Sequence, residues 1–148
     1  MSRAPLVPVF PPGAPVSVLV DYDGTVSRHD IGTVLLAEHA LVDAAVVAAR
    51  EADYDAGRAG SRELMQWDMD VLPRDGDLLR AVAGAVPQDE TFVSFVAAVR
   101  EAGAALEIVS DGLGFYVASN LARLDRGLLD LPIATNETTR RPARARTG

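Results

Sequence analysis

Asp21 and Asp23 stand two residues apart in the run Asp21-Tyr22-Asp23-Gly24-Thr25. Two carboxylates that straddle the end of a strand can both face one site when the chain turns there. One can attack a phosphorus atom while the other moves a proton to or from the ester oxygen. Gly24 permits the tight turn, and the backbone N–H groups freed by it can take the oxygens on which charge develops in the transition state. The strand that this arrangement requires lies just upstream. Residues 16–21 (VSVLVD) form a short β-branched apolar run, the pattern of a buried parallel strand.

A second loop carries a matching signal. Residues 104–110 (AALEIVS) predict another strand, and Asp111 and Gly112 follow it directly. A hydroxyl at a strand's end, with a helix starting just after, can join that helix's N-terminal amides in holding an oxyanion. Ser110 equally fits a plain helix cap. Ligands of α/β sheets collect at the carboxyl ends of the strands, where both loops lie.

The elements that must position these loops follow from the hydrophobic pattern. Residues 30–52 are rich in Ala, Leu and Val, with Asp30 placed as an N-cap. Val34, Ala37, Leu41, Ala44 and Ala48 keep the spacing of one helical face. DAGRAG (55–60) breaks that pattern, Ser61 opens a second helix to about Leu72, and residues 78–86 give a further short one. After Pro87 comes a helix with Phe92, Phe95, Val96 and Val99 on one face, stopped by Gly103. A helix over about 113–124 and a third strand over 131–134 (LPIA) complete the series. Strands alternating with helices predict an α/β fold with a Rossmann-like parallel sheet. The helical block 30–86 is too long for a simple crossover and is expected to be an inserted cap. Residues 16–29 and 87–136 then form the core, residues 1–15 a Pro-rich flexible leader, and residues 137–148 an Arg-rich disordered tail.

Composition narrows the partners. The 148 residues carry a net charge of −7, which disfavours nucleic acid or an anionic membrane as the main partner. No apolar run reaches the ~18 residues of a membrane span. Cys is absent, so disulfide and thiolate chemistry are excluded and a cytoplasmic location is expected. All 14 basic residues are Arg. His29 and His39 lack partners at metal-ligand spacing, and Trp67 reads as a core residue of the helical block.

Taken together, VLVDYDGT and LEIVSDG resemble the first and second motifs of the haloacid-dehalogenase (HAD) superfamily of hydrolases. The wider pattern is similar to its phosphoserine-phosphatase-like branch (HAD-IB), whose helical cap, of the C1 type, is inserted between those motifs. DAGRAGSREL and IVSDGLGFYV further resemble the MtnX-type phosphatases of methionine salvage, which act on 2-hydroxy-3-keto-5-methylthiopentenyl-1-phosphate. The resemblance runs from about residue 16 to residue 136. It implies that Asp21 is a nucleophile that becomes an aspartyl-phosphate and also touches Mg²⁺, a hard cation that prefers oxygen ligands. Asp23 would be the general acid/base and lend its backbone carbonyl to the metal. Thr25 and Ser110 would bind the phosphoryl group, with Gly112 at the turn. Asp30 matches a cap-entry position that contacts the polar end of the substrate, besides fitting an N-cap. Arg62 would reach the substrate from the cap, or stand on a solvated helix face.

The sequence departs from the family at two places. Where phosphoserine phosphatases carry an Arg for the substrate carboxylate, the nearby residues are Gln66, Trp67 and Asp68. L-phosphoserine is therefore a poor substrate expectation. The basic residue of a third motif and the acidic pair of a fourth are also missing, and Arg140, Arg141, Arg144 and Arg146 lack the strand or helix context to replace them. The chain is accordingly expected to be C-terminally truncated. The leading expectation is a Mg²⁺-dependent phosphomonoester hydrolase acting on a small phosphorylated metabolite. The alternative is a non-catalytic fragment, or a module that binds a partner through an open sheet edge.

Overall fold

Three strands form where the β-branched runs lie: β1 (Ser17–Val20), β2 (Ala105–Leu113) and β3 (Ile133–Asn136). They pair in parallel in the order β1-β2-β3, with Val20 level with Ile108 and Ile108 level with Ile133. The computed structural model describes residues 13–137. The leader through residue 12 and the four tail arginines lie outside the described residues. A mixed α/β architecture with a parallel sheet is thus observed, as expected.

The sheet's sequential order has a geometric consequence. Right-handed crossovers that always step the same way place their helices on one face. Helix α5 (Thr91–Glu101) and helix α6 (Gly114–Leu124) both pack on β2, and α6 also reaches β3. Val20, Leu106 and Ile108 are buried beneath them. On the opposite face Leu19 is 67% exposed and Val109 43% exposed.

Four helices stand between β1 and β2: α1 (Ile31–His39), α2 (Ala44–Asp55), α3 (Ser61–Val71) and α4 (Gly76–Ala85). The long helical face expected over 30–52 is interrupted. Ala40 caps α1, Leu41 turns its N–H to the Val71 carbonyl at 2.7 Å, and Asp43 starts a new helix. The buried face of α1 is Ile31, Leu35 and Leu36, whereas Leu41, Ala44 and Ala48 are exposed. An Ala-rich stretch is apolar all round, so spacing alone does not select its buried stripe. Phe95 also departs from expectation. It stands 44% exposed at the edge of the α5 core face, stacked on Phe92 with ring centroids 6.3 Å apart. Trp67 is half-buried against the core.

A buried polar node joins the helical block to the sheet. Asn120 on α6 is fully buried, and its amide donates to the Ala83 and Val86 carbonyls at the end of α4. Its Oδ1 accepts the Tyr22 hydroxyl at 2.9 Å, and its backbone carbonyl accepts the Gln88 amide. Every side-chain donor and acceptor is used, which is what makes a buried amide tolerable. Replacing Asn120 with Ala would strand the Tyr22 hydroxyl and two carbonyls without partners. We expect a loss of roughly 3 kcal/mol or more in urea unfolding. A loss below about 1 kcal/mol would show that water takes over these bonds.

Candidate active site

The turn after β1 is built around one carbonyl. Tyr22 O accepts the N–H groups of Thr25, Val26 and Ser27 at 3.1, 2.9 and 3.1 Å, and Gly24 takes φ +74° to allow it. The Tyr22 side chain points inward to Asn120. Its two flanking residues diverge in environment as a result. Asp21 is exposed, with Oδ1 accepting the Tyr22 N–H at 2.8 Å and Oδ2 standing 3.5 Å from the Thr25 hydroxyl. Asp23 is half-buried. Its Oδ1 accepts the Ile31 N–H at 2.9 Å, and its Oδ2 accepts the Tyr116 hydroxyl at 3.3 Å.

Burial pushes the Asp23 carboxyl up to about 6, and the charges of Asp30 and Asp111 add to the rise, against the opposing hydrogen bonds from Ile31 and Tyr116. A carboxyl near 6 keeps its proton to a higher pH than one in water, which suits proton donation.

The second loop differs from its expected form. β2 does not end at Ser110 but continues through Asp111 and Gly112 to Leu113, with a register shift against β3 between Val109 and Leu113. Helix α6 starts only at Gly114, with Leu113 as its N-cap residue and no side-chain cap. Ser110 is therefore not the helix cap. It is buried, and its hydroxyl accepts the Gly112 N–H at 3.0 Å. The two loops meet at Gly112. A Cβ there would stand 2.7 Å from Asp23 Oδ2 and inside contact distance of the Tyr116 hydroxyl.

Between this junction and the inter-strand helices lies a cavity of about 180 Å³. Asp111, Gly112 and Tyr116 line it together with Asp30, Leu64 and Asp68. Asp23 does not line it but touches two wall residues, Gly112 and Tyr116. Asp30 does line it, and also caps α1 through a 2.6 Å bond from the Thr33 N–H. Arg62 is exposed and lies outside the wall, although its helix neighbours Ser61, Leu64 and Met65 contribute to it. Tyr116, Tyr22 and Asn120 are the residues that sequence reasoning passed over. The only available signal was their place inside or beside the quoted motifs.

Asp68 gives the cavity a pH-sensitive wall. Burial, with Glu51 and Asp30 nearby, raises its carboxyl from 3.8 to about 6, against a lowering by Arg50. Its Oδ1 is buried without a hydrogen-bond partner. The folded chain thus holds this proton more tightly than the unfolded one. The stability from that proton is fully present below about pH 4 and is lost as pH rises through about 6. Asp68→Asn should therefore melt a few degrees higher than wild type near pH 7.5 and the same near pH 4, by roughly the shift that about 1 kcal/mol produces. Equal melting at both pH values would remove the argument.

Mg²⁺ requires near-octahedral oxygen coordination. The Asp21 carboxylate and the Asp23 carbonyl are two oxygens from one loop. Among the described residues, no group of three or more His, Cys, Asp or Glu is gathered closely enough to hold a metal ion. The donor set present does not by itself form a magnesium site. No helix among the described residues is long and apolar enough to cross a membrane.

No protein-family model and no curated protein matches this chain. Solved structures do. A HAD family hydrolase from Salmonella enterica subsp. enterica serovar Typhi is similar with a TM-score of 0.70 and 17% identity, over 88% of this chain and 44% of its own. Cytosolic 5'-nucleotidase IIIB, solved bound to cytidine, is similar with a TM-score of 0.57 and 16% identity, over 85% of this chain and 50% of its own. The chain therefore has the fold of a HAD Rossmann-like core. It spans about half the length of the solved structures it matches.

Proposed function

We propose that this chain carries the phosphoryl-transfer end of a HAD-type phosphomonoester hydrolase. The observation that supports this best is the pairing of an exposed Asp21 with a half-buried Asp23, the latter packed against Gly112 of the second loop. Asp21 is the nucleophile and forms an aspartyl-phosphate. Asp23 protonates the departing ester oxygen and later activates water. Thr25, Ser110 and Gly112 serve the phosphoryl oxygens. Residues 30–86 act as the cap over a core made of 16–29 and 87–136, with Asp30 facing the substrate. In this scheme Arg62 has only a peripheral role. The substrate is a small phosphorylated metabolite, a class consistent with a nucleotidase neighbour solved with cytidine. The phosphoserine-phosphatase-like branch and the MtnX-type likeness belong to the proposal on sequence resemblance alone, and a cytoplasmic location on the absence of Cys alone. Mg²⁺ is the cofactor that the resemblance implies; Asp21 and the Asp23 carbonyl would give two of its oxygen ligands, and no fuller acidic set is gathered among the described residues.

The test is phosphate release from p-nitrophenyl phosphate and a panel of alkyl monophosphates, with Mg²⁺ and with EDTA. Acid quenching during turnover should trap a phosphorylated peptide containing Asp21. No release above background with any ester would remove the hydrolase reading. A non-catalytic binding module is the second reading. The observation favouring it is the apolar sheet face with Leu19 and Val109 exposed, away from the described helices.

A further inference from the structure

We propose that Tyr116 is the positioning residue for proton transfer, fixing the Asp23 carboxyl from the side opposite Ile31. This rests on the phosphatase reading, and Tyr116 has no role in the motif pattern that suggested it. The side chain is 5% exposed and comes from α6, 93 residues along the chain from Asp23, yet its hydroxyl reaches Asp23 Oδ2 at 3.3 Å. Ile31 N–H holds Oδ1 at 2.9 Å. Between them the two donors set the plane of the carboxyl.

Gly112 makes room for this hydroxyl, because a Cβ there would overlap it. Tyr22 provides the contrast. It is an equally buried phenol one residue from Asp23, but its hydroxyl is committed to Asn120 and never meets a carboxylate.

The chemical consequence concerns the leaving group. When an Asp21 oxygen bonds to phosphorus, the bond from phosphorus to the ester oxygen breaks and the electron pair leaves with that oxygen. The oxygen takes the proton of the Asp23 carboxyl, so Asp23 becomes a carboxylate as the ester departs. A hydroxyl already aimed at Oδ2 strengthens as that charge appears, because hydrogen bonds to ionised acceptors are roughly twice as strong as neutral ones. An alkoxide needs that proton in order to leave. A p-nitrophenolate does not.

Tyr116→Phe removes one oxygen and keeps the ring. The readout is kcat/KM for glycerol phosphate against kcat/KM for p-nitrophenyl phosphate, which follows the first chemical step whichever step limits kcat. We expect about a tenfold loss on the alkyl ester and less than about a twofold loss on the aryl ester. Because both substrates are read on the same preparation, their ratio cancels any change in the folded fraction. Tyr22→Phe is the control for a buried phenol and should lower both rates equally, if at all. Asp23→Asn should show the same selectivity as Tyr116→Phe but more strongly. If Asp23→Asn is selective and Tyr116→Phe is not, Tyr116 is a packing residue and this proposal fails while the hydrolase reading stands. If the wild-type chain hydrolyses neither ester, both are overturned.

Discussion

Asp21→Asn is expected to reduce phosphomonoester hydrolysis by about 10³-fold, or to the uncatalysed background if that is reached first. The substitution changes almost nothing else. Asp21 is exposed, and its one close bond is to the N–H of the next residue at 2.8 Å, which an Asn oxygen can keep. The melting temperature should therefore stay within about 1 °C of wild type, as for a surface change away from any packed feature. An amide oxygen is a far weaker nucleophile than a carboxylate, so the acyl-phosphate peptide should vanish along with turnover. This combination of lost chemistry and kept stability separates a catalytic carboxylate from an acidic turn residue. If the variant hydrolyses p-nitrophenyl phosphate as well as wild type does, any activity seen belongs to a contaminant or to another site.

Local pattern was enough for the strands and for the loop that holds the two aspartates. Val16, Val18, Leu19 and Val20 make a short apolar run that marks a parallel strand, although only Val20 is buried and Leu19 stays 67% exposed, against the expected buried strand. Asp30 capping α1 was legible for the same reason, since Asp before an apolar periodic stretch satisfies orphan amides. What could not be read depended on contacts distant in sequence. The Ala-rich stretch gave no preferred face, so the break at residues 40–43 appeared only with the Leu41 bond to Val71. β2 runs past Ser110 because β3 pairs alongside it as far as Leu113, and no residue in the 110–113 run announces that. Tyr116 and Asn120 are unremarkable in sequence. Each acquires its role from a partner more than 90 residues away.

The three carboxylates around the junction also resist sequence reading. Asp30 and Asp111 come from different elements, yet both raise Asp23. A net charge of −7 spread over the chain does not foretell that Asp30 and Asp111 come near enough to Asp23 to raise it. Their charges add to burial, the larger cause, in raising the Asp23 carboxyl to about 6.

Gly112→Ala is expected to have the second-largest effect, and by a purely steric route. Gly112 has no positive φ, so its backbone suits alanine. The obstacle is the space. The new Cβ would lie 2.7 Å from Asp23 Oδ2 and 2.9 Å from Tyr116 Cε2, and would overlap the Tyr116 hydroxyl. Either the Asp23 carboxyl or the Tyr116 ring must move, and both are held by buried neighbours. Overpacking of this kind costs about 1–3 kcal/mol, so melting should fall by roughly 3–10 °C. On the acid/base role proposed for Asp23, displacing it by about 1 Å should cost about 100-fold in kcat/KM. Gly24→Ala is the instructive comparison. At φ +74° with nothing within 4 Å, it bears backbone strain but no collision, so it should lose stability while disturbing Asp23 less. Adding Tyr116→Phe to Gly112→Ala relieves the hydroxyl overlap but leaves the approach to Asp23 Oδ2. The double variant should regain part of the melting temperature without regaining the rate. Full recovery of both would mean that the tyrosine, not the carboxylate, takes the strain, and that Asp23 is not held against the second loop.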